Sequence, residues 1–214
     1  MIETEGIPSG RRMALESAAR DLHARYEGVF GQETIEALVV DSYFKLAETA
    51  TVTDWLVLGA ERFAKERLRA LVHSEDRSPK RLPSVLFLCT HNAGRSQMAL
   101  GWFAHLGGGH AVGWSGGSEP ESEVNRVAVE AMAEVGIDIS DGFPKPWTDE
   151  VLAAADVVVT MGCGDACPLV PGKHYEDWQV ADPAGQTLPV VRSIRDDLEG
   201  RVRILLQQLG VEAV

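Results

Sequence analysis

A cysteine and an arginine separated by five residues give this sequence its most specific chemical signal. An apolar run of strand length, residues 85–88, leads to Cys89, and Arg95 and Ser96 stand where a helical pattern begins. A loop between a strand and a helix can turn its peptide N–H groups inward, and the helix N-terminus adds positive potential, so the segment predicts an anion site. The forked guanidinium of Arg95 fits a tetrahedral oxyanion, and the same field favours the thiolate of Cys89. We therefore expect Cys89 to attack the central atom of a bound oxyanion.

The residues between Cys89 and Ser96 complete the predicted site. Asn92 is expected to shape the loop, because asparagine tolerates positive φ and can tie loop backbone together. Ser96 is placed to donate a hydrogen bond to the Cys89 thiolate, whereas His91 either faces solvent or acts on the thiol. A small buried cysteine beside a solvated arginine is the alternative, but the strand, the spacing and the helix start together favour the anion loop. The predicted oxyanion-binding residues are Thr90, His91, Asn92, Ala93, Gly94, Arg95 and Ser96.

Two further cysteines, Cys163 and Cys167, follow the apolar run at 156–160. The ends of parallel strands share one edge of a sheet, so a loop after this run can lie beside the loop after Cys89. The two cysteines either take part in thiol chemistry, or are structural, or bind zinc with His174 as a third ligand. Four convincing zinc ligands are not present, so we predict no metal site.

Three separated motifs resemble those of one family. The Cys-x5-Arg-Ser loop at 89–96 is similar to that of the low-molecular-weight protein tyrosine phosphatases. With Met-Gly-Cys-Gly-Asp-Ala-Cys-Pro at 161–168 and Tyr-Glu-Asp-Trp-Gln-Val-Ala-Asp-Pro-Ala-Gly at 175–185, it resembles more specifically the arsenate reductases built on that fold. The resemblance covers roughly residues 82–210. It implies a four-stranded parallel sheet flanked by helices, with the active loop at the carboxyl end of a strand.

The resemblance also implies a relay of three thiols that acts on arsenate, for which phosphate or sulfate would be mimics. Cys89 would form a covalent arsenic adduct, Cys163 would attack Cys89 and release arsenite, and Cys167 would pass the disulfide to its loop. Thioredoxin would open that disulfide, and no cofactor is implied. Asp182, which in an isolated Asp-Pro pair would mark only a turn, matches the general acid of the family. The predicted catalytic residues are Cys89, Arg95, Asp182, Cys163 and Cys167.

Three other functions stay open on the sequence. A phosphatase acting on phosphotyrosine would share Cys89, Arg95 and Asp182 but would need no second thiol. An arsenate reductase could instead draw its electrons from a low-molecular-weight thiol with a glutaredoxin-like partner. A thiol sensor or zinc-stabilised interaction module would show no turnover at all.

Composition and charge restrict the partners and the compartment. The 214-residue chain has a formal net charge of -12, which argues against nucleic acid and anionic membranes as partners. No apolar run approaches the roughly 20 residues of a membrane span, and the start lacks a basic and then apolar signal sequence. Three cysteines make a poor disulfide framework and suit a reducing compartment. We therefore expect a cytoplasmic protein that captures its anion by local positive potential.

Hydrophobic periodicity divides the chain into two parts. Residues 1–80 are predicted to form a small three-helix bundle and a linker, the first helix beginning near residue 13. Residues 81–214 alternate strands with helices and are predicted to form an α/β domain with a parallel sheet. In this domain a strand is expected at 111–114, and Pro120 is expected in the first turn of a helix. The bundle carries no catalytic constellation, so it either mediates homodimer formation or is a passive addition.

Overall fold

The computed structural model describes residues 6–51, 53–76, 78, 81–164 and 170–214 of the chain. The chain divides into two compact units, residues 1–73 and residues 74–214. Within the described ranges, no helix combines the length and the apolar character that crossing a membrane requires.

Three helices build the first unit: α1 (Ser9–Arg25), α2 (Gln32–Ala47) and α3 (Leu56–Glu75). Each buries apolar side chains at the three- and four-residue spacing of an amphipathic helix. The buried side chains include Leu15 and Leu22 from α1, Ile35 and Val39 from α2, and Phe63 and Leu68 from α3. The three predicted helices are confirmed, although α1 begins at Ser9, before its expected start.

An ion pair joins α3 to α2. Arg67 Nη1 lies 2.6 Å from Asp41 Oδ2 and 3.0 Å from Ser42 Oγ, and Arg67 is buried. The guanidinium carbon also lies 5.6 Å from the centre of the Phe63 ring. A buried guanidinium needs partners of this kind, so the pair helps to fix which faces of the two helices meet.

The second unit is a four-stranded sheet flanked by helices. Its strands are β1 (Ser84–Cys89), β2 (Val112–Gly117), β3 (Val157–Met161) and β4 (His174–Asp177). They lie in the order β2-β1-β3-β4, and all three pairings are parallel. The helices are α4 (Arg95–Gly107), α5 (Arg126–Ala133), α6 (Asp149–Ala154) and α7 (Leu188–Gln208). The predicted fold class is thereby confirmed.

The register of the sheet brings three loops to one edge. Cys89, the last residue of β1, is paired with Gly117 at the end of β2 and with Met161 at the end of β3. Every residue of β1 is buried, because helices cover both faces of a central parallel strand. The loops that follow β1, β2 and β3 therefore begin side by side at the carboxyl edge, where open parallel sheets bind ligands.

Strand β2 is longer than the periodicity predicts. The prediction ended it at residue 114, but β2 continues to Gly117. A Cβ atom at Gly116 would lie 2.9 Å from the backbone of Trp147, and one at Gly117 would lie 2.7 Å from the carbonyl oxygen of Thr90. These glycines therefore mark a close approach of backbones inside a strand, and they do not lie beyond the end of the strand as predicted.

The segment 118–125 is a second departure from the prediction. Pro120 does not lie in a first helical turn, because α5 begins at Arg126. Asn125 caps that helix, its side chain accepting a hydrogen bond of 3.0 Å from the N–H of Ala128. Backbone groups of the segment instead bond to the loop after β1, so tertiary contacts override the local preference of the proline.

A carboxylate ties the amino edge of the sheet together. Asp156 Oδ2 accepts hydrogen bonds of 2.9 Å from both the N–H and the hydroxyl of Ser84, and Arg81 Nη1 lies 2.8 Å from Asp156 Oδ1. Burial acts to raise the pKa of Asp156, but the hydrogen bonds from Arg81 and Ser84 outweigh it and hold the pKa below its ordinary value. The ionised form of Asp156 therefore stabilises the start of β1.

We predict that Asp156→Asn lowers the free energy of unfolding at pH 7 by about 1 kcal/mol, a value reduced by the partial exposure of the carboxylate. A carboxylate whose pKa is lowered by folding stabilises above its unfolded pKa of about 3.9, and this contribution is lost as the pH falls through the folded value. Urea unfolding of the native chain and of Asp156→Asn, at pH 7 and at pH 3, measures the difference in their free energies of unfolding at each pH. Glu212→Gln, an exposed change in the same unit, is the control. A difference between native and Asp156→Asn that stays constant across this range would contradict the assignment.

Candidate active site

The loop after β1 is shaped around the sulfur of Cys89, which is a buried free thiol. Asn92 has a φ of 47°, in the left-handed region that few residues other than glycine adopt. This conformation turns the Asn92 N–H inward, where it donates to Cys89 Sγ at 3.2 Å. The sequence predicted both the loop and the special conformation of Asn92, and the geometry agrees with that interpretation.

The hydroxyl of Ser96 is the second group in contact with the sulfur. Ser96 Oγ lies 3.0 Å from Cys89 Sγ, and Asn92 Nδ2 donates to the same Oγ at 2.8 Å. A serine hydroxyl has one hydrogen, and because Asn92 occupies an acceptor site of Oγ, that hydrogen is available to Sγ. Two donors can therefore converge on the sulfur, an arrangement suited to a thiolate nucleophile.

The carbonyl groups of the loop point away from the sulfur and are bonded elsewhere. The segment 118–125 supplies N–H donors to three of them, at 2.8–3.0 Å: Glu119 to Thr90, Glu121 to His91, and Asn125 to Ala93. With its carbonyls held outside, the loop is free to present N–H groups to an anion inside. Arg95, the first residue of α4, adds the cation and the positive end of that helix.

Arg95 and Asp182 are 87 residues apart in sequence but form an ion pair. Arg95 is buried, and its Nη2 lies 2.5 Å from Asp182 Oδ2. The other carboxylate oxygen accepts from the N–H of Ala184 at 2.9 Å, which fixes the turn. Gly162 lies against the same guanidinium, since a Cβ there would be 2.5 Å from Arg95 Nη1. The loops after β1, β3 and β4 thus meet at Arg95.

A narrow cleft opens above the loop after β1. Pro183 covers Gly94 so closely that a Cβ at Gly94 would lie 2.3 Å from Pro183 Cγ. His91 lies at the rim, with its Nδ1 3.2 Å from the carbonyl oxygen of Glu119. Thr90 Oγ1 donates to the carbonyl of Gly162 at 3.0 Å. The residues that line the cleft are Cys89, His91, Ala93, Gly94, Arg95, Glu121, Asn125, Asp182, Pro183 and Ala184.

Cys163 is buried and follows the end of β3 by two residues, at the same sheet edge as Cys89. It is disulfide-bonded, and Cys167 lies outside the described residues. His174, the alternative zinc ligand, begins β4 and pairs with Val157 at the start of β3. Since a strand rises about 3.3 Å per residue, the length of β3 separates His174 from Cys163. This geometry argues against the zinc alternative.

The sequence interpretation missed two residues that hold the loop from behind. Gln97 and Lys145 both donate to the side-chain oxygen of Asn92, at 3.3 Å and 3.0 Å, Lys145 through its backbone N–H. Both residues are buried. A polar residue facing inward in the first turn of a helix is the available signal for Gln97, but nothing in the sequence relates Lys145 to the loop.

Comparison with known families now identifies the chain. Residues 84–214 match the family described as low molecular weight phosphotyrosine protein phosphatase, and the chain belongs to that family. Residues 15–72 match a second family, described as the protein-tyrosine-phosphatase-like, N-terminal domain.

Several relatives share a more specific description. The structure of a thioredoxin-dependent arsenate reductase of Corynebacterium glutamicum is 43% identical, with a TM-score of 0.80 over 92% of this chain and 96% of its own. A glutaredoxin arsenate reductase of Synechocystis sp. is 39% identical over 132 residues, which are 60% of this chain and 100% of that protein. An arsenate reductase in the phosphate binding state is 38% identical, with a TM-score of 0.53 over 60% of this chain and 99% of its own.

We predict that Gly94→Ala weakens oxyanion binding about tenfold, because the new methyl group must displace Pro183 and with it Asp182. The measurement is the concentration of phosphate that protects Cys89 from alkylation, followed on the Cys89 peptide by mass spectrometry. Gly200→Ala, where a Cβ meets nothing within 4 Å, is the matched control. Equal protection in both variants would show that the contact between Gly94 and Pro183 does not shape the cleft.

Proposed function

We propose that this chain reduces arsenate to arsenite, with Cys89 as the nucleophile. The observation that carries the proposal is the position of Cys163, which follows β3 at the sheet edge where Cys89 ends β1. Hydrolysis of a phosphate ester needs one thiol, whereas reduction of As(V) to As(III) takes two electrons, which two thiols supply together when they form a disulfide. The arsenate reductases among the relatives support the same assignment.

The first step joins Cys89 to arsenic. The thiolate attacks the As(V) atom of arsenate, a sulfur–arsenic bond forms and an arsenic–oxygen bond breaks. Asp182, across the cleft, protonates the departing oxygen so that it leaves as water. The guanidinium of Arg95 and the inward N–H groups of residues 90–96 balance the charge of the oxyanion.

The next steps move two electrons from sulfur to arsenic. The thiolate of Cys163 attacks Cys89 Sγ, a sulfur–sulfur bond forms, the sulfur–arsenic bond breaks, and arsenic leaves as As(III) in arsenite. Cys167 then attacks Cys163, which returns Cys89 to the thiol and leaves a disulfide in the loop after β3.

Thioredoxin is the reductant we propose. An intramolecular disulfide suits a dithiol partner, which opens it by the same exchange reaction. A relative that covers 92% of this chain is a thioredoxin-dependent enzyme, while the glutaredoxin relative matches 60% of the chain. Catalytic thiols need a reducing compartment, so we place the protein in the cytoplasm.

We predict that the native chain supports arsenate-dependent NADPH oxidation in the presence of thioredoxin and thioredoxin reductase. The rate should fall at least about a hundredfold in Cys89→Ser, Cys163→Ser and Cys167→Ser, because each thiol is consumed and regenerated in every cycle. A native chain that is silent with arsenate but hydrolyses an aryl phosphate, with both Cys163→Ser and Cys167→Ser fully active, would make it a phosphatase. Full activity with a low-molecular-weight thiol and glutaredoxin but none with thioredoxin would change the electron donor only.

We further propose that the helical unit mediates homodimer formation. Among its described residues, the unit exposes several large apolar side chains. Met13 on α1 is 70% exposed and Leu58 on α3 is 59% exposed. A second copy that covers these side chains would remove their apolar surface from water, which is favourable.

We predict that Leu58→Glu lowers the molar mass measured by light scattering from that of a dimer to that of a monomer, because it places a charge in an apolar contact. Ile204→Glu is the matched control, since Ile204 is similarly exposed, at 58%, but belongs to α7. A native chain that is monomeric at micromolar concentration would rule out the dimer, and a dimer lost only in Ile204→Glu would assign it to the second unit.

A further inference from the structure

Gln97 is a buried side chain that connects the nucleophile loop to the segment at 142–145. Its Nε2 lies 3.0 Å from the carbonyl oxygen of Asn92, 3.3 Å from Asn92 Oδ1 and 3.4 Å from the carbonyl oxygen of Phe143. Its Oε1 occupies the space beside Gly142, where a Cβ would lie 2.8 Å away. The amide of Gln97 therefore has a defined orientation, with its donors directed at Asn92.

The contacts of Gln97 decide which way the Asn92 amide faces. Gln97 Nε2 and the Lys145 N–H both donate to Asn92 Oδ1. With its oxygen held there, the side chain directs Nδ2 to Ser96 Oγ. The Ser96 hydroxyl then accepts from Asn92 and has its own hydrogen free for Cys89 Sγ. One chain of hydrogen bonds thus runs from Gln97 through Asn92 and Ser96 to the sulfur.

Gln97 also acts on the backbone of the loop. Asn92 adopts a conformation that is strained by about 1 kcal/mol for an L-residue, and the strained form persists only where neighbours hold it. Gln97 Nε2 donates to the carbonyl oxygen of Asn92. The backbone N–H of Asn92 itself donates to Cys89 Sγ. Holding the carbonyl therefore helps to hold the left-handed conformation that aims this N–H.

We propose that Gln97 is a positioning residue for the Cys89 nucleophile, acting through Asn92 and Ser96. It does not touch the sulfur or line the cleft, so its effect is on the two donors that favour the thiolate. The inference rests on Cys89 as the nucleophile of the proposed function, but its test needs no arsenate turnover.

The test measures alkylation of Cys89 by iodoacetamide from pH 5 to pH 9 in the full chain carrying Cys163→Ser and Cys167→Ser. Cys89 is then the only thiol, because the chain has three cysteines. Gln97→Met has a similar length and no donor. We expect it to slow alkylation about five- to tenfold at pH 6, to move the midpoint of the pH profile upward, and to leave the rate at pH 9 nearly unchanged.

The titratable or charged groups that line the cleft with Cys89 are His91, Arg95, Glu121 and Asp182. All four are retained in the Gln97 variants, so a shifted profile reports the hydrogen-bond chain. Gln207→Met, an exposed change on α7, is the control and should leave the profile unaltered. A purely structural role predicts a lower urea midpoint for Gln97→Met with an unchanged pH profile, and that result would overturn the proposal.

Two additional variants keep the test decisive. Gln97→Leu also removes the donor and adds no charge, so the same upward shift is expected even if Gln97→Met fails to fold. In an Asn92→Gly background, which allows the same φ without the amide, Gln97→Met should slow alkylation less than about twofold. Additive effects of the two changes would show that Gln97 does not act through the Asn92 side chain. Arsenate turnover that is absent in every form while these shifts occur would refute only the proposed reaction.

Discussion

The hydrogen bond from the Asn92 N–H to Cys89 Sγ, 3.2 Å long, depends on one left-handed residue in a chain of L-amino acids. That conformation costs about 1–2 kcal/mol and has to be offset by neighbouring contacts. Asn92 is fully buried, and its amide, its carbonyl and its N–H all have partners. The strain is therefore held by polar contacts that come from α4 and from the segment after residue 142, so the conformation of the loop after β1 depends on the surrounding fold.

The hydrogen bonds made by the backbone groups of the loop after β1 also explain why this loop suits an anion. Three of its carbonyl oxygens, those of Thr90, His91 and Ala93, accept hydrogen bonds from the segment 118–125. The glycines that end β2 let that segment approach, since a side chain at Gly117 would meet the Thr90 carbonyl. Carbonyls bonded on the outside leave N–H groups for the inside. A chain with a net charge of -12 can in this way hold positive potential in one small region.

The parts of the site that the sequence predicted are those encoded by neighbouring residues. Cys89 and Arg95 are the two ends of one short loop, so their spacing in sequence predicts the anion loop. The apolar runs at β1 and β3 predict the parallel sheet. The predicted end of β2 was wrong, because close backbone packing at Gly116 continues the strand. The predicted place of Pro120 in a helical turn was also wrong, because its segment forms backbone hydrogen bonds to the loop after β1. The Lys145 N–H reaches Asn92 through a tertiary contact, for which residue types give no signal, and the only signal for Gln97 is a polar residue in the first turn of a helix.

The pair formed by Arg95 and Asp182 places the proton donor of the proposed reaction beside the cation that would hold the oxyanion. An oxyanion that enters the cleft competes with the Asp182 carboxylate for the same guanidinium, which lies 2.5 Å from the carboxylate. Capture of the oxyanion thus exchanges the contact between Arg95 and Asp182 for a contact between Arg95 and the substrate. Because Asp182 is followed by Pro183, which packs on Gly94 of the loop after β1, the Asp182 side chain stays beside the cleft during this exchange, where the proposed reaction needs a proton donor.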